Sequence, residues 1–146
     1  MKPMLSEPEI HAIIYGMHGA PFTLLGMHET GAKKPGVVVR VFRPYATKAE
    51  VIRAADGTAV EMPCIHEDGL YELFFPNEQP FAYRLRLTWF DGTTSELEDP
   101  YRFPLQLTDL DMYLLGEGTN FKAYNKMGAH PLTLDGVAGV HFAVWA

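Results

Sequence analysis

The fold class that the sequence predicts is mainly β: an immunoglobulin-like antiparallel β-sandwich with short helical segments at the N-terminus and in the C-terminal connector. Three observations lead there. Between Gly36 and Leu97 apolar side chains recur with a period of two, the signature of half-buried strands. Asp56-Gly57, Asp68-Gly69 and Asp91-Gly92 punctuate these runs, and Asp-Gly is a strong hairpin signal because Gly supplies positive φ cheaply. Hydrophobic residues make up 47% of the 146, enough for one ordinary domain with a real core plus short appendages. The Cys pair and central Trp of antibody domains are missing, so only the architecture transfers.

The elements follow in order. Ser6-Glu7-Pro8-Glu9 reads as a capping box, with Pro8 tolerated because first-turn N–H groups have no helical partner. Ile10, Ile13, Ile14 and Met17 then share a helical face, and the helix is expected to end near Gly16. Ala20 to Gly26 is a connector with a helical turn, and Gly31 to Gly36 a loop. From Gly36, Val37, Val39 and Val41 face one way and Val38, Arg40 and Phe42 the other, until Pro44 ends the strand. Lys48 to Ala54 is the second strand, returned by Asp56-Gly57 into Ala59 to Met62. Asp68-Gly69 leads into Leu70 to Phe75. Ala82 to Phe90 is the clearest strand: Tyr83, Leu85, Leu87 and Trp89 point to the core, and Arg84, Arg86 and Thr88 to water. Asp91-Gly92 turns it into Thr93 to Leu97. Beyond Asp99-Pro100-Tyr101 the alternation stops. Thr108 or Asp109 can cap a short helix through Leu115, and Asn120 another through Lys126.

Composition removes several function classes. The formal charge is -6, so there is no electrostatic footprint for nucleic acid or anionic lipid. No stretch approaches the ~18 apolar residues of a membrane helix, and Met1 to Ser6 lacks the pattern of a signal peptide. Cys64 is the one cysteine; with no disulfide partner in the chain, it fits a reducing cytoplasm.

The chain also repeats itself. Leu25-Gly26-Met27-His28 corresponds to Met127-Gly128-Ala129-His130, and Gly36 to Phe42 corresponds to Gly139 to Trp145. Ile13-Ile14-Tyr15-Gly16 followed by Phe22 matches Tyr113-Leu114-Leu115-Gly116 followed by Phe121. A period of this length marks tandem domains rather than solenoid units. The expected division is an N-terminal helical segment and connector over 1–35, a β-sandwich module over 36–104, an inter-module connector over 105–130, and the first strand of a second, truncated module over 131–146. On this reading Gly139 to Ala146 is an orphan strand, and the chain is the amino-terminal piece of a longer one.

Gly128-Ala129-His130, followed by Asp135-Gly136-Val137-Ala138-Gly139-Val140-His141-Phe142-Ala143-Val144-Trp145-Ala146, resembles the start of the carbohydrate-binding module of glycogen (1,4-alpha-glucan) branching enzymes. Asp99-Pro100-Tyr101, Phe103, Asp109, Tyr113-Leu114 and Glu117-Gly118 resemble the join between the two amino-terminal modules of the long bacterial form. The resemblance covers nearly the whole chain and is densest from Asp99 to Trp145. It implies a parent enzyme of the alpha-amylase family that cuts an α-1,4 glucan and rejoins the cut end through an α-1,6 bond during glycogen synthesis. The catalytic carboxylates of that family belong to a later barrel, so no catalytic residue is expected here. The implied partners are an α-glucan, engaged weakly or indirectly, and the remaining domains of the parent. Two alternatives are a stand-alone glycan-binding adaptor and a purely structural or protein-interaction sandwich.

Within the chain the chemistry is sparse. The six His show no cluster at metal-ligand spacing; His28 and His130, each two places after a Gly, are expected to hydrogen-bond backbone in tight connectors. Glu96, Glu98 and Asp99 read as a solvated acidic rim rather than a glycosidase pair. Gly116-Glu117-Gly118 lacks the rest of a phosphate loop, so neither metal nor cofactor is expected. Tyr83-Arg84-Leu85 resembles the Tyr-Lys-Phe strand of glycogen-binding modules, which puts Arg84 at the basic sugar-contacting position. Phe90 follows on the same outward face. The two Trp platforms of those modules are replaced by Ala54-Ala55-Asp56 and Thr93-Thr94-Ser95. Arg84 and Phe90 are therefore the carbohydrate-binding candidates, with weak binding expected. Trp89 shares a face with Tyr83, Leu85 and Leu87 and is expected in the core.

Overall fold

The computed structural model describes residues 3–145, and the chain forms two compact units, Met1–Arg102 and Phe103–Ala146. The first unit opens on helix α1, Glu7–Ile14. The Glu9 carboxylate accepts from both the backbone N–H and the hydroxyl of Ser6, at 2.8 and 2.6 Å, so the capping box forms as expected and holds Glu9 below its usual carboxylate range. The helix stops at Ile14, short of the expected Gly16, and Met17 lies beyond it, exposed. Positive φ at Gly16 turns the chain out before Met17 can join the buried face.

Eight strands follow: β1 Gly26–Glu29, β2 Gly36–Phe42, β3 Ala46–Arg53, β4 Ala59–Glu61, β5 Cys64–His66, β6 Leu70–Pro76, β7 Tyr83–Trp89 and β8 Thr94–Leu97. They make two four-stranded antiparallel sheets, in the orders β1-β2-β6-β5 and β4-β3-β7-β8. Val37, Val39, Val41, Tyr71 and Phe75 from the first sheet meet Ala49, Val51, Tyr83, Leu85 and Leu87 from the second in one buried cluster. Each of these is 7% exposed or less, and each buried Val or Leu side chain contributes about 1.5–3 kcal/mol. Trp89 packs against the same cluster and donates through Nε1 to Ser95 Oγ at 2.9 Å.

The first sheet is covered on both faces. Ile13 of α1, Leu5, Leu25 and Leu70 form a second cluster, with Phe42 packed against it. This explains why β2 is a continuous Val run rather than a strict alternation. On the same side Arg40 Nε meets Glu72 Oε2 at 2.8 Å, both buried. Met4 N–H donates to the other oxygen of Glu72 at 2.7 Å, so the pair also anchors the chain before α1.

The second unit holds α2, Asp109–Glu117, capped by Thr108, then β9, Gly128–Leu134, and β10, Val137–Ala143. The Asn120 segment is only a 3₁₀ turn over Ala123–Asn125, without a side-chain cap. The expectation of an orphan strand over Gly139 to Ala146 is overturned: β10 pairs with β9 along its whole length, from Val137↔Leu134 to Ala143↔Gly128. The cause is Asp135-Gly136, whose φ values of 48° and 76° fit a tight two-residue hairpin. Ala146 lies outside the described residues.

Candidate functional site

Arg84 sits within β7 on the solvent face of the second sheet, where charges form a ladder. Glu96 accepts from Arg86 at 2.7 Å and lies 3.6 Å from Arg84, while Glu50 joins Arg86 to Lys48. Cross-strand pairing of Glu50 and Glu96 with Arg86 puts these side chains on one face. The Glu96 carboxyl is held below its usual range by the Arg86 hydrogen bonds. Arg84 therefore shares a carboxylate with its neighbour instead of standing free.

Phe90 lies elsewhere. The strand ends at Trp89, and Phe90 opens a three-residue loop closed by Trp89 N–H to Thr93 O and by Gly92 N–H to Trp89 O, both at 2.9 Å. Five steps of extended chain separate Arg84 from Trp89, roughly 17 Å, and Phe90 lies beyond in the loop, so the two are not brought into one site.

Phe90 instead meets residues that sequence reasoning missed. Its N–H donates to Tyr45 O at 3.1 Å. Tyr45 is the second central residue of the turn closed by Ala46 N–H to Arg43 O at 3.2 Å, after Pro44. Its φ is +70°, a conformation usually left to Gly or Asn at that turn position. Behind it, the buried Tyr71 hydroxyl donates to Ala46 O at 2.6 Å, and β3 carries an irregularity between Ala46 and Lys48. Thr47 Oγ1 donates to Thr88 O at 3.2 Å. Tyr45 and Phe90, with Tyr15 from the end of α1, line an open groove of about 500 Å³ whose other walls include Phe42, Glu67 and Asp68. The three rings are 78%, 77% and 64% exposed. The available signal was an aromatic directly after the strand-ending Pro44, where a turn residue is expected.

The other chemical groups have structural work. His28 Nε2 lies 2.8 Å from Leu25 O, and His130 Nε2 lies 2.7 Å from Met127 O: the repeated histidines bond backbone in the same way, as expected. Asp99 is buried and not part of a solvated rim, which corrects that expectation; Tyr83 Oη donates to it at 2.6 Å and Tyr101 N–H at 3.0 Å. Glu98 pairs with Arg102 at 2.8 Å. Among the described residues no group of three or more His, Cys, Asp or Glu is placed to hold a metal ion, and no helix is long and apolar enough to cross a membrane.

Comparison with known proteins adds the remaining facts. Residues 6–101 match the family described as alpha-1,4-glucan branching enzyme GlgB, N-terminal domain. The chain is 44% identical over 143 residues to a 1,4-alpha-glucan branching enzyme GlgB from Rubrobacter xylanophilus, covering 98% of this chain and 19% of that protein. It is 47% identical over 143 residues to the enzyme of the same name from Paramagnetospirillum magneticum, covering 98% and 18%. Against the Rhodospirillum rubrum enzyme it is 45% identical over 151 residues, covering 100% and 20%. The chain thus spans about a fifth of the length of the curated relatives it matches.

Proposed function

We propose, because this chain belongs to the family of amino-terminal domains of alpha-1,4-glucan branching enzyme GlgB, that it serves as a non-catalytic module of such an enzyme. The whole enzyme forms α-1,6 branches by transferring α-1,4-glucan segments in the cytoplasm. The module tunes the length of the transferred chain by engaging glucan or by positioning the domains that follow. The second unit is read as a connector leading into a carbohydrate-binding-type module, and the first as an immunoglobulin-like sandwich.

The observation that carries this reading is the coincidence of the matched residues 6–101 with the first compact unit, Met1–Arg102. Five carboxylates of that unit support the non-catalytic half. Glu9 caps a helix, Glu72 pairs with Arg40, Asp99 binds Tyr83, and Glu50 and Glu96 serve the surface ladder. A retaining glycosyl transfer needs two carboxyl groups about 5–5.5 Å apart across the scissile bond, and these groups are committed to other partners.

The test is an exchange. The Rubrobacter xylanophilus enzyme is prepared intact, without the segment matching residues 6–101, and with that segment replaced by this chain's own. Branched product is then debranched and its chains sized. The deletion is expected to retain branching but shift the chain-length profile, and the replacement to move it back toward the intact enzyme. Identical profiles from all three proteins would reject the tuning role.

A further inference from the structure

We propose that the groove between Tyr15, Tyr45 and Phe90 is a carbohydrate-binding site for a short α-1,4-glucan segment. This rests on the reading of the chain as a branching-enzyme module, and it names the surface through which that module touches glucan. Tyr45 and Phe90 offer their rings to the apolar faces of glucose units, while Glu67 and Asp68 accept from sugar hydroxyls at the rim.

The first support is convergence. Three largely exposed aromatic rings come from the end of α1, the turn after β2 and the loop after β7, yet they line one groove. Its volume of about 500 Å³ falls within the roughly 300–1,000 Å³ of small-molecule sites. Large exposed apolar surface gathered in one concavity marks an interaction site rather than ordinary surface scatter.

The second support is local conformation. Tyr45 holds φ +70°, strained for an L-residue with a Cβ, while the residue stays largely exposed. Strain of this kind is characteristic of ligand-contacting positions. The backbone bond from Phe90 N–H to Tyr45 O ties the two loops together, and the buried Tyr71 hydroxyl fixes the next carbonyl from below. The platform is thus held in place before a ligand arrives.

The third support is chemistry. Aromatic faces beside two carboxylates suit a neutral ligand with apolar faces and donating hydroxyls, and they repel phosphate and other anions. A glucose chain has that character. Arg84 plays no part in this site, since it sits on the ladder at the other end of β7.

The experiment titrates maltoheptaose into the isotopically labelled full chain and follows amide shifts. It is repeated with Tyr45→Gly, Phe90→Ala and Arg84→Ala, with thermal melts as the fold control. Gly is at ease at positive φ, so Tyr45→Gly removes the ring while keeping the turn. The wild type is expected to saturate at about millimolar ligand, with shifts around Tyr15, Tyr45 and Phe90. Either aromatic variant should weaken binding by about tenfold or more, while Arg84→Ala leaves it unchanged. Binding that survives both aromatic changes and is lost with Arg84→Ala would overturn the groove and leave glucan engagement standing. Absence of saturable binding by the wild type would likewise overturn the groove; a chain-length shift in the exchange experiment would then show that the module acts by positioning domains. Failure of the exchange with intact groove binding would instead reject the tuning role alone.

Discussion

Two buried polar pairs define the residue scale. Arg40 and Glu72 face each other across β2 and β6, and losing one partner would leave a buried charge, at a cost of about 3–5 kcal/mol. Tyr83 and Asp99 form the other pair. Burial pushes the Asp99 carboxyl above its ordinary value, opposed by the hydrogen bonds from Tyr83 and Tyr101. Burial and the neighbouring Asp99 push the Tyr83 phenol upward. A carboxyl whose folded value exceeds its unfolded one holds its proton more tightly when folded. Its contribution to stability is fullest at low pH and declines as pH rises from the ordinary carboxylate range through the folded value. Tyr83→Phe deletes a hydrogen bond that favours the carboxylate, so the folded value rises further and the decline covers a wider pH range. We expect Tyr83→Phe to cost about 1–3 kcal/mol near neutral pH. In urea melts the gap from the wild type should widen as pH rises above the ordinary carboxylate range. A gap independent of pH would mean that Asp99 does not feel the hydroxyl.

At the scale of elements the internal repeat takes physical form. In the first unit, α1, a 3₁₀ turn over Pro21–Thr23, and the pair β1-β2 follow one another. In the second, α2, the turn over Ala123–Asn125 and the pair β9-β10 do the same. Gly26 and Gly128 occupy matching places, with φ of 86° and 88°. Their surroundings differ: a Cβ on Gly26 would meet Tyr101 O at 2.5 Å, whereas one on Gly128 would meet nothing within 4 Å. Gly128→Ala should therefore cost only the backbone term, about 1–2 kcal/mol. Gly26→Ala should cost a further ~1–3 kcal/mol for the clash. Amide exchange on each hairpin reads the two separately, and equal losses would show that the Tyr101 contact yields freely.

Much of this scale was legible. The Val run of β2, the alternation of β7 and the Ser6 box each express a strong local period or cap. β1 and β5 were not legible, because Gly-Met-His-Glu and Cys-Ile-His carry no alternation and are strands only through their neighbours β2 and β6. The β9-β10 hairpin has its signal in Asp135-Gly136, whereas the repeat of the β2 sequence covers β10 alone. Tyr45 was hidden for another reason. Turn chemistry leads one to expect Gly or Asn at that position, and a Tyr there becomes visible only when its φ is known. The alternation of Ala82 to Phe90 places Phe90 at a strand end on the face of Arg84, whereas the loop after Trp89 carries it beside Tyr45.

For the whole molecule, the first unit contains both four-stranded sheets and both buried clusters, and it coincides with the family match. Glu9, Glu50, Glu72, Glu96 and Asp99 of that unit are bound to backbone, hydroxyl and guanidinium partners, and the proposed module leaves the chemistry of glycosyl transfer to other parts of a branching enzyme. The measurement that tests this most directly is the iodine stain of amylose incubated with the purified chain, run beside the Rubrobacter xylanophilus enzyme. The relative should lower the absorbance as branches shorten the linear helices that hold iodine. The chain alone should leave it at the level of buffer; a fall that scales with the amount of chain would contradict a non-catalytic module.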